Sequence, residues 1–355
     1  MRSVMAMVMD TAMVMATDMV IMARNQSKRR KGKHRRQKKL WRKRILIGIL
    51  LCLAAGAAAS AFIWSEQKKQ GNAHDVGSDY RNILYKGEKY QYNNRVTTIL
   101  YAGVDSTGKM ESSVQYSDKA RADTISLVVM DETDQKMTIL SINRDTMTKV
   151  RRYTLNGNDI GFAYSYGDGG KVSCENLCEA VSLLLSNIPV KRYVVTNQDS
   201  IPYINNLVGG ITLVVPNNDL SKLYPELTAG AEVTLTDENV KPFLQKRDTS
   251  ESFSNEGRME RQKAYVTAYI NKLKSMSTKE LEKTWDSLDE MNDYLQTSIT
   301  KNQYLELIKT MRKMDFTEDN FVILQGTDQE GELHDEFYAD QEALLDLIVD
   351  LFYKK

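Results

Sequence analysis

Histidine is almost missing from this chain. Among 355 residues there are three, His34, His74 and His334, each far from the others. A zinc site of several imidazoles and a Ser-His-Asp triad are both hard to build from solitary histidines. Cysteine is as scarce, at three, so a disulfide framework is excluded. With five prolines, 42% hydrophobic and 27% charged residues, the composition is that of a globular protein rather than a disordered or collagen-like one. The length suits one large domain or two ordinary ones.

Net charge is also nearly missing, at +1, but that total hides a partition. Residues 1–23 carry one Arg against two Asp, residues 24–44 carry thirteen Lys/Arg and no acid, and residues 45–355 carry 34 basic against 45 acidic groups. The basic run ends directly against ILIGILLCLAAGAAASAFIW, residues 45–64, which has no charge at all. Twenty apolar residues in a helix rise about 30 Å, the thickness of a bilayer core. We therefore expect a spanning anchor at 45–64, with residues 1–44 as a cytoplasmic tail and everything after Trp64 outside the cell. Ala59-Ser60-Ala61 would suit a signal-peptidase site, but the apolar run is longer than a signal core and continues through Phe62-Ile63-Trp64. Topology accounts for the basic run, so no nucleic-acid partner is expected. Residues 1–23 hold eight of the seventeen methionines and lack fold logic; a start at Met22 would remove 1–21.

Beyond a polar stem at 65–94, the pattern becomes that of a folded domain over 95–355. The runs 96–104, 124–131 and 136–143 are short, apolar and β-branched, and the turn Glu132–Gln135 makes a hairpin of the latter two. Ser173 is expected to cap a helix with an apolar face of Leu177, Val181, Leu184, Leu185 and Ile188. Cys174 and Cys178 on that helix read as small buried residues, since i,i+4 is poor disulfide geometry. Strands follow at 192–196, 211–215 and 321–325, with helices at 199–207, 236–246, 258–274, 301–314 and 339–352, and a charged helical excursion at 276–300. The interleaving predicts an α/β fold: an α/β/α sandwich with a central mixed sheet, preceded by one N-terminal transmembrane helix.

Strand direction decides where the chemistry falls. If 96–104 runs upward it ends at Asp105, the next strand starts down after Arg121 and Asp123, and the third rises to Arg144-Asp145. Five charged residues are thereby delivered to one sheet edge. Paired carboxylates with flanking arginines suit a divalent cation and a phosphate; alone they would read equally well as surface ion pairs. A second cluster, Lys246-Arg247 followed by Arg258, Arg261 and Gln262 at a helix start, adds cations where free N–H groups also favour an anion.

In order, GVDS (103–106), RADT (121–124), SINRDT (141–146), AYSYGDGG (163–170), YVVTNQDSIPYINNLVGGITLVVP (193–216) and GRMERQ (257–262) resemble the motifs of the LytR-CpsA-Psr family, over roughly residues 95–275. The resemblance implies a membrane-anchored phosphotransferase that moves a glycopolymer, such as teichoic acid or capsular polysaccharide, from undecaprenyl pyrophosphate to peptidoglycan. It implies magnesium or manganese on Asp105 and Asp123. It implies pyrophosphate contacts from Arg121, Arg144, Arg247, Arg258, Arg261 and Gln262, and a hydrophobic cavity for the lipid. Asp145 or Asp123 is a candidate base, and Asp145 is equally a candidate orienting partner for an arginine. Two positions depart from the pattern. Gln245-Lys246-Arg247 replaces a paired-arginine motif, so one phosphate contact is either missing or supplied by Lys246, and Asn143 stands where proline is usual. The loss in the pair keeps open a non-catalytic glycan-binding or regulatory protein, and a carrier pyrophosphatase is a further alternative.

Overall fold

The computed structural model describes residues 80–110, 120–148, 158–246, 254–331 and 335–355. The basic tail, the 45–64 segment, most of the stem and Arg247 lie outside them; among the described residues no helix is long and apolar enough to cross a membrane.

The chain enters through a hairpin, β1 (Asn82–Tyr85) and β2 (Glu88–Tyr92), then three long strands, β3 (Val96–Val104), β4 (Ala122–Asp131) and β5 (Lys136–Ile142), and a short pair, β6 (Met147–Thr148) and β7 (Asn158–Asp159). Helix α1 (Lys171–Leu184), β8 (Tyr193–Asn197), α2 (Ser200–Leu207) and the hairpin β9 (Ile211–Val214) and β10 (Glu232–Leu235) follow. Next come α3 (Val240–Gln245), α4 (Ser254–Ser275), α5 (Thr278–Asp286), β11 (Leu295–Thr297), α6 (Lys301–Met311) and β12 (Phe321–Ile323). The hairpin β13 (Gly326–Glu330) and β14 (Asp335–Ala339), then α7 (Gln341–Phe352) and β15 (Tyr353–Lys354), close the chain.

Six strands form the central sheet in the order β11-β8-β3-β4-β5-β12. β3, β4 and β5 pair antiparallel, whereas β3 with β8 and β5 with β12 pair parallel, so the sheet is mixed as expected. Pleating sends alternate residues to opposite faces. Leu100, Ala102 and Val104 of β3 pack in one core with Leu177 and Val181 of α1 and Ile348 and Phe352 of α7. Ile99 of the same strand joins the other core, with Phe243 of α3, Leu273 of α4, Leu281 of α5 and Ile308 of α6. Two helical layers thus sandwich the sheet. Burial on both faces explains why β4 reads as a nearly unbroken apolar run, and truncating a fully buried residue such as Leu177 to alanine should cost about 2–5 kcal/mol.

Several elements differ from expectation. Ser173 does not cap α1; Gly170 holds the N-cap position, and the Asp168 carboxylate accepts the N–H groups of Gly170, Val172 and Ser173 at 2.8, 3.1 and 3.3 Å. A charged acceptor serves several first-turn donors and complements the helix dipole, which one hydroxyl does not. The helix expected over 236–246 starts only at Val240, because Asn239 Oδ1 folds back onto the Thr236 N–H at 2.7 Å. Within 276–300 lies a short strand, β11, on the edge of the sheet. Residues 82–92, expected in the stem, form a hairpin whose β2 pairs with β15 at the chain's end. Cys174 and Cys178 are buried free thiols; burial pushes the Cys178 thiol up to about 12.

Candidate active site at the ends of strands β3, β4 and β5

The sheet edge is shaped by one irregularity. β3 and β4 run in register to Gly103↔Thr124, then shift to Val104↔Ala122, which leaves Asp123 as an extra residue. Such a bulge re-aims a side chain. Here it breaks the in-out alternation, so that Asp123 and Thr124 are exposed in succession between buried Ala122 and Ile125. Just past the shift, the Asp105 N–H bonds to the Arg121 carbonyl at 2.8 Å, which joins the two strand ends that carry the aspartates. Asp105 accepts a hydrogen bond from Gln198 Nε2, beyond the end of β8.

Arg144 and Asp145 occupy the turn after β5. Asn143 Oδ1 accepts the Asp145 N–H at 3.0 Å, and its carbonyl accepts the Thr146 N–H at 3.1 Å. Asparagine in this role fixes the turn by hydrogen bonding, where proline would fix it through φ. Arg144 Nη1 bonds Asp123 at 2.7 Å, and its Nε lies 3.6 Å from Asp145. Partial burial acts to lower the Arg144 pKa, but the hydrogen bond and charge of Asp123, with the charge of Asp145, hold it above its ordinary value. The Arg144 side chain remains 44% exposed.

Arg121 is held differently. Its Nη2 contacts both Asp145 and Asp159, and its guanidinium lies over the Phe162 ring at 4.7 Å. Asp159 is fully buried and also accepts the Gly161 N–H at 2.9 Å. Gly161 is required there: a Cβ would stand 3.0 Å from Arg121 Nε, the Ala122 carbonyl and the Arg144 carbonyl. A buried carboxylate is costly unless paired, so Asp159 and Arg121 fix each other. Asp159 and Phe162 were not among the expected site residues. They arrive through the pairing of β6 with β7, across chain too irregular in pattern to read.

The second cluster surrounds the C-terminus of α3. Arg261 is buried, 1% exposed at its side chain; its Nε donates to the Phe243 carbonyl at 2.9 Å, its Nη1 to Asp219 at 2.7 Å and its Nη2 to the Lys246 carbonyl at 2.5 Å. Burial pulls the Arg261 pKa below its ordinary value against the opposing pull of Asp219. Gln262 Nε2 donates to the Leu244 carbonyl at 2.9 Å. Both side chains therefore satisfy carbonyls that the end of α3 leaves free, and so fix the chain as far as Lys246. Gly257 permits this approach, since a Cβ there would collide with the Asp219 carboxylate. Lys246 is exposed, with Nζ 2.9 Å from Tyr224 Oη, and Arg258 is half-buried near the start of α4. α3 is tethered to the sheet edge by Lys241, whose Nζ lies 3.3 Å from Asp199. Asp199 in turn accepts the Gly108 N–H at 2.8 Å, which is the main cause holding its carboxyl below the usual range.

Arg121, Asp123, Arg144 and Asp145 thus form one contact network, with Asp105 joined to it through the backbone, while Lys246, Arg261 and Gln262 form another. The first offers anionic oxygens and an accessible cation side by side at the edge of an α/β/α sandwich. The family model described as LytR_cpsA_psr matches residues 62–348, and the chain belongs to this family. It is 28% identical over 220 residues to TagV of Bacillus subtilis (strain 168), named a polyisoprenyl-teichoic acid–peptidoglycan teichoic acid transferase; the alignment covers 58% of this chain and about half, 52%, of that protein. TagU of Bacillus cereus, named for the same activity, is 25% identical over 270 residues, covering 75% of this chain and 81% of that one. The crystal structure of B. subtilis TagV superposes with a TM-score of 0.56 at 25% identity, over 72% of this chain and 96% of that one.

Proposed function

We propose that this protein is a membrane-anchored, extracytoplasmic phosphotransferase that moves a glycopolymer from a polyprenyl-pyrophosphate carrier to a peptidoglycan hydroxyl. The observation that carries this reading is the convergence of Asp105, Asp123, Arg121 and Arg144 on the ends of β3, β4 and β5, in a family whose relatives TagV and TagU are named for that transfer.

The donor set suits magnesium or manganese. Asp105 and Asp123 are the residues that would hold it, since their carboxylates supply the hard oxygens such an ion prefers. When bound, the ion supplies charge neutralisation to the pyrophosphate. The chain's own residues supply the rest. Arg144, exposed and paired to Asp123 at one nitrogen, offers its remaining donors to a phosphate oxygen, and Arg121 presents a cation held in place by Asp145 and Asp159. The acceptor hydroxyl oxygen bonds to the sugar-proximal phosphorus, the bond to the bridging oxygen breaks, and the polyprenyl phosphate leaves with that electron pair and takes up the proton that the hydroxyl gives up. Positioning and charge stabilisation do most of such work, which accords with a site built without histidine. Asp145, engaged by both arginines, acts as their orienting group. Lys246 adds an exposed cation to the anion contacts, with Arg261 and Gln262 holding the end of α3 that carries it.

The test is to incubate the purified full chain with a polyprenyl-pyrophosphate-linked glycan, Mg²⁺ and muropeptides. Glycan joined to muropeptide through a phosphodiester is expected. Free phosphorylated glycan would replace transfer by hydrolysis, and bound but unchanged lipid would replace it by a binding role.

A further inference from the structure

Beside the sheet edge, between α2 and α5, lies a cleft of about 580 Å³ that the site above does not use. That volume falls within the range of about 300–1,000 Å³ common for small-ligand sites. Tyr203 lines it from the middle of α2 and is 44% exposed. Its ring stacks on Tyr294 at 5.5 Å between centroids and 13° between planes, so a large apolar face is held rigid in a place that water reaches. Met276 and Met291 give the cleft an apolar lining, while Asn206, Glu280 and Lys283 bring hydrogen-bonding groups to it.

We infer that this cleft is a saccharide subsite for an uncharged amino-sugar strand and, resting on the transfer proposed above, that it receives the acceptor glycan. A pyranose ring has an apolar C–H face and a rim of hydroxyl and acetamido groups. It needs an aromatic plane and, beside it, both donors and acceptors. Asn206 supplies both kinds, Glu280 accepts through the carboxylate oxygen that the Ser277 N–H leaves free, and Lys283 donates. One acid and one base leave the cleft without surplus positive charge, which fits a neutral sugar better than the polyanionic donor, whose phosphates the arginines attract.

Its position fits an acceptor. The Asn197 N–H bonds the Tyr294 carbonyl at 3.2 Å, and the next residue, Gln198, donates to Asp105. The ring stack and the metal-side carboxylate therefore hang on two adjacent residues at the end of β8. Tyr203 stands about 4.5 Å along α2 from its first residue, Ser200, which follows Gln198 by two residues. A strand lying on Tyr203 would present its next sugar toward Asp105.

The experiment measures binding of a tetrasaccharide of alternating N-acetylglucosamine and N-acetylmuramic acid, its lactyl carboxyls capped as simple amides so that the probe is uncharged, to the full chain in detergent, by calorimetry and ligand-observed NMR. Wild type should bind. Tyr203→Ala should bind at least about tenfold more weakly, while Tyr203→Phe, which keeps the ring, should stay within about twofold. Thermal melting of each variant checks that the fold is intact, as expected for an exposed position. Wild type that does not bind the tetrasaccharide, or Tyr203→Ala that binds it as tightly, overturns the subsite. If Tyr203→Ala weakens only the polyprenyl-pyrophosphate-linked glycan, the acceptor assignment is overturned in favour of the donor. Tetrasaccharide binding that depends on Tyr203 in a protein yielding no transfer product would uphold the subsite and refute the transfer reading instead.

Discussion

Strand β4 carries an aspartate near each end, and the two are treated in opposite ways. Asp131 is 9% exposed at its side chain and saturated: Asn93 Nδ2 donates to it at 2.8 Å, the Thr133 N–H at 2.7 Å, and Lys354 Nζ approaches to 3.0 Å. It ties the residue after β2 and the last strand, β15, to the β4–β5 hairpin. Asp123, on a bulge at the other end, is 35% exposed and faces a guanidinium that is itself open to solvent. The arginines repeat the contrast. Arg261 is enclosed and bonded to carbonyls, whereas Arg144 keeps donors toward water. A charge that is buried and fully satisfied serves the fold; one left partly satisfied at a strand end is available to a ligand.

That contrast can be broken experimentally, most sharply at Arg261. Arg261→Ala leaves Asp219 and the α3 carbonyls without their donor and should cost about 3–5 kcal/mol, a fall in Tm on the order of 10 °C. If melting is unmoved, Arg261 is not the clamp described. Arg144→Ala should do the reverse, lowering transfer by about 100-fold or more while Tm stays within about 2 °C. Between them stands Asp159→Asn, which keeps an acceptor for Arg121 but removes its charge; a loss of about 1–3 kcal/mol is expected in denaturant titration. The smallest effect belongs to Asp131. Burial acts to raise its pKa, but Lys354, Thr133 and Asn93 together hold it below the ordinary value. A depressed carboxylate stabilises the fold above the ordinary pKa of about 4, and that contribution is lost as pH falls through the folded value. Asp131→Asn should therefore flatten the acid limb of the stability–pH curve; an unchanged limb would remove this pair from the account.

Much of the edge was legible in the sequence, because alternation locates strands and strand direction then determines which ends meet. Asp105, Asp123, Arg144 and Asp145 needed no more than that. Asp159 was not legible, since β6 and β7 are two-residue strands too short to carry a periodicity that would mark them. Nor was the role of Arg261. GRMERQ places it on a helix, but whether it meets a ligand or the carbonyls of α3 depends on how α3 and α4 pack. β10 and β11 escaped for a related reason. Each is short and half-exposed, and holds its place through one neighbouring strand rather than through an apolar run of its own.

The central claim is that the partly satisfied charges at the ends of β3, β4 and β5 carry out transfer. The most direct test compares the rate at which wild type, Asp105→Ala and Arg144→Ala form glycan–muropeptide phosphodiester from a polyprenyl-pyrophosphate-linked glycan, at matched thermal stability. Product is expected from wild type and its loss in both variants; product at the wild-type rate from either would show that these charges do not carry out transfer.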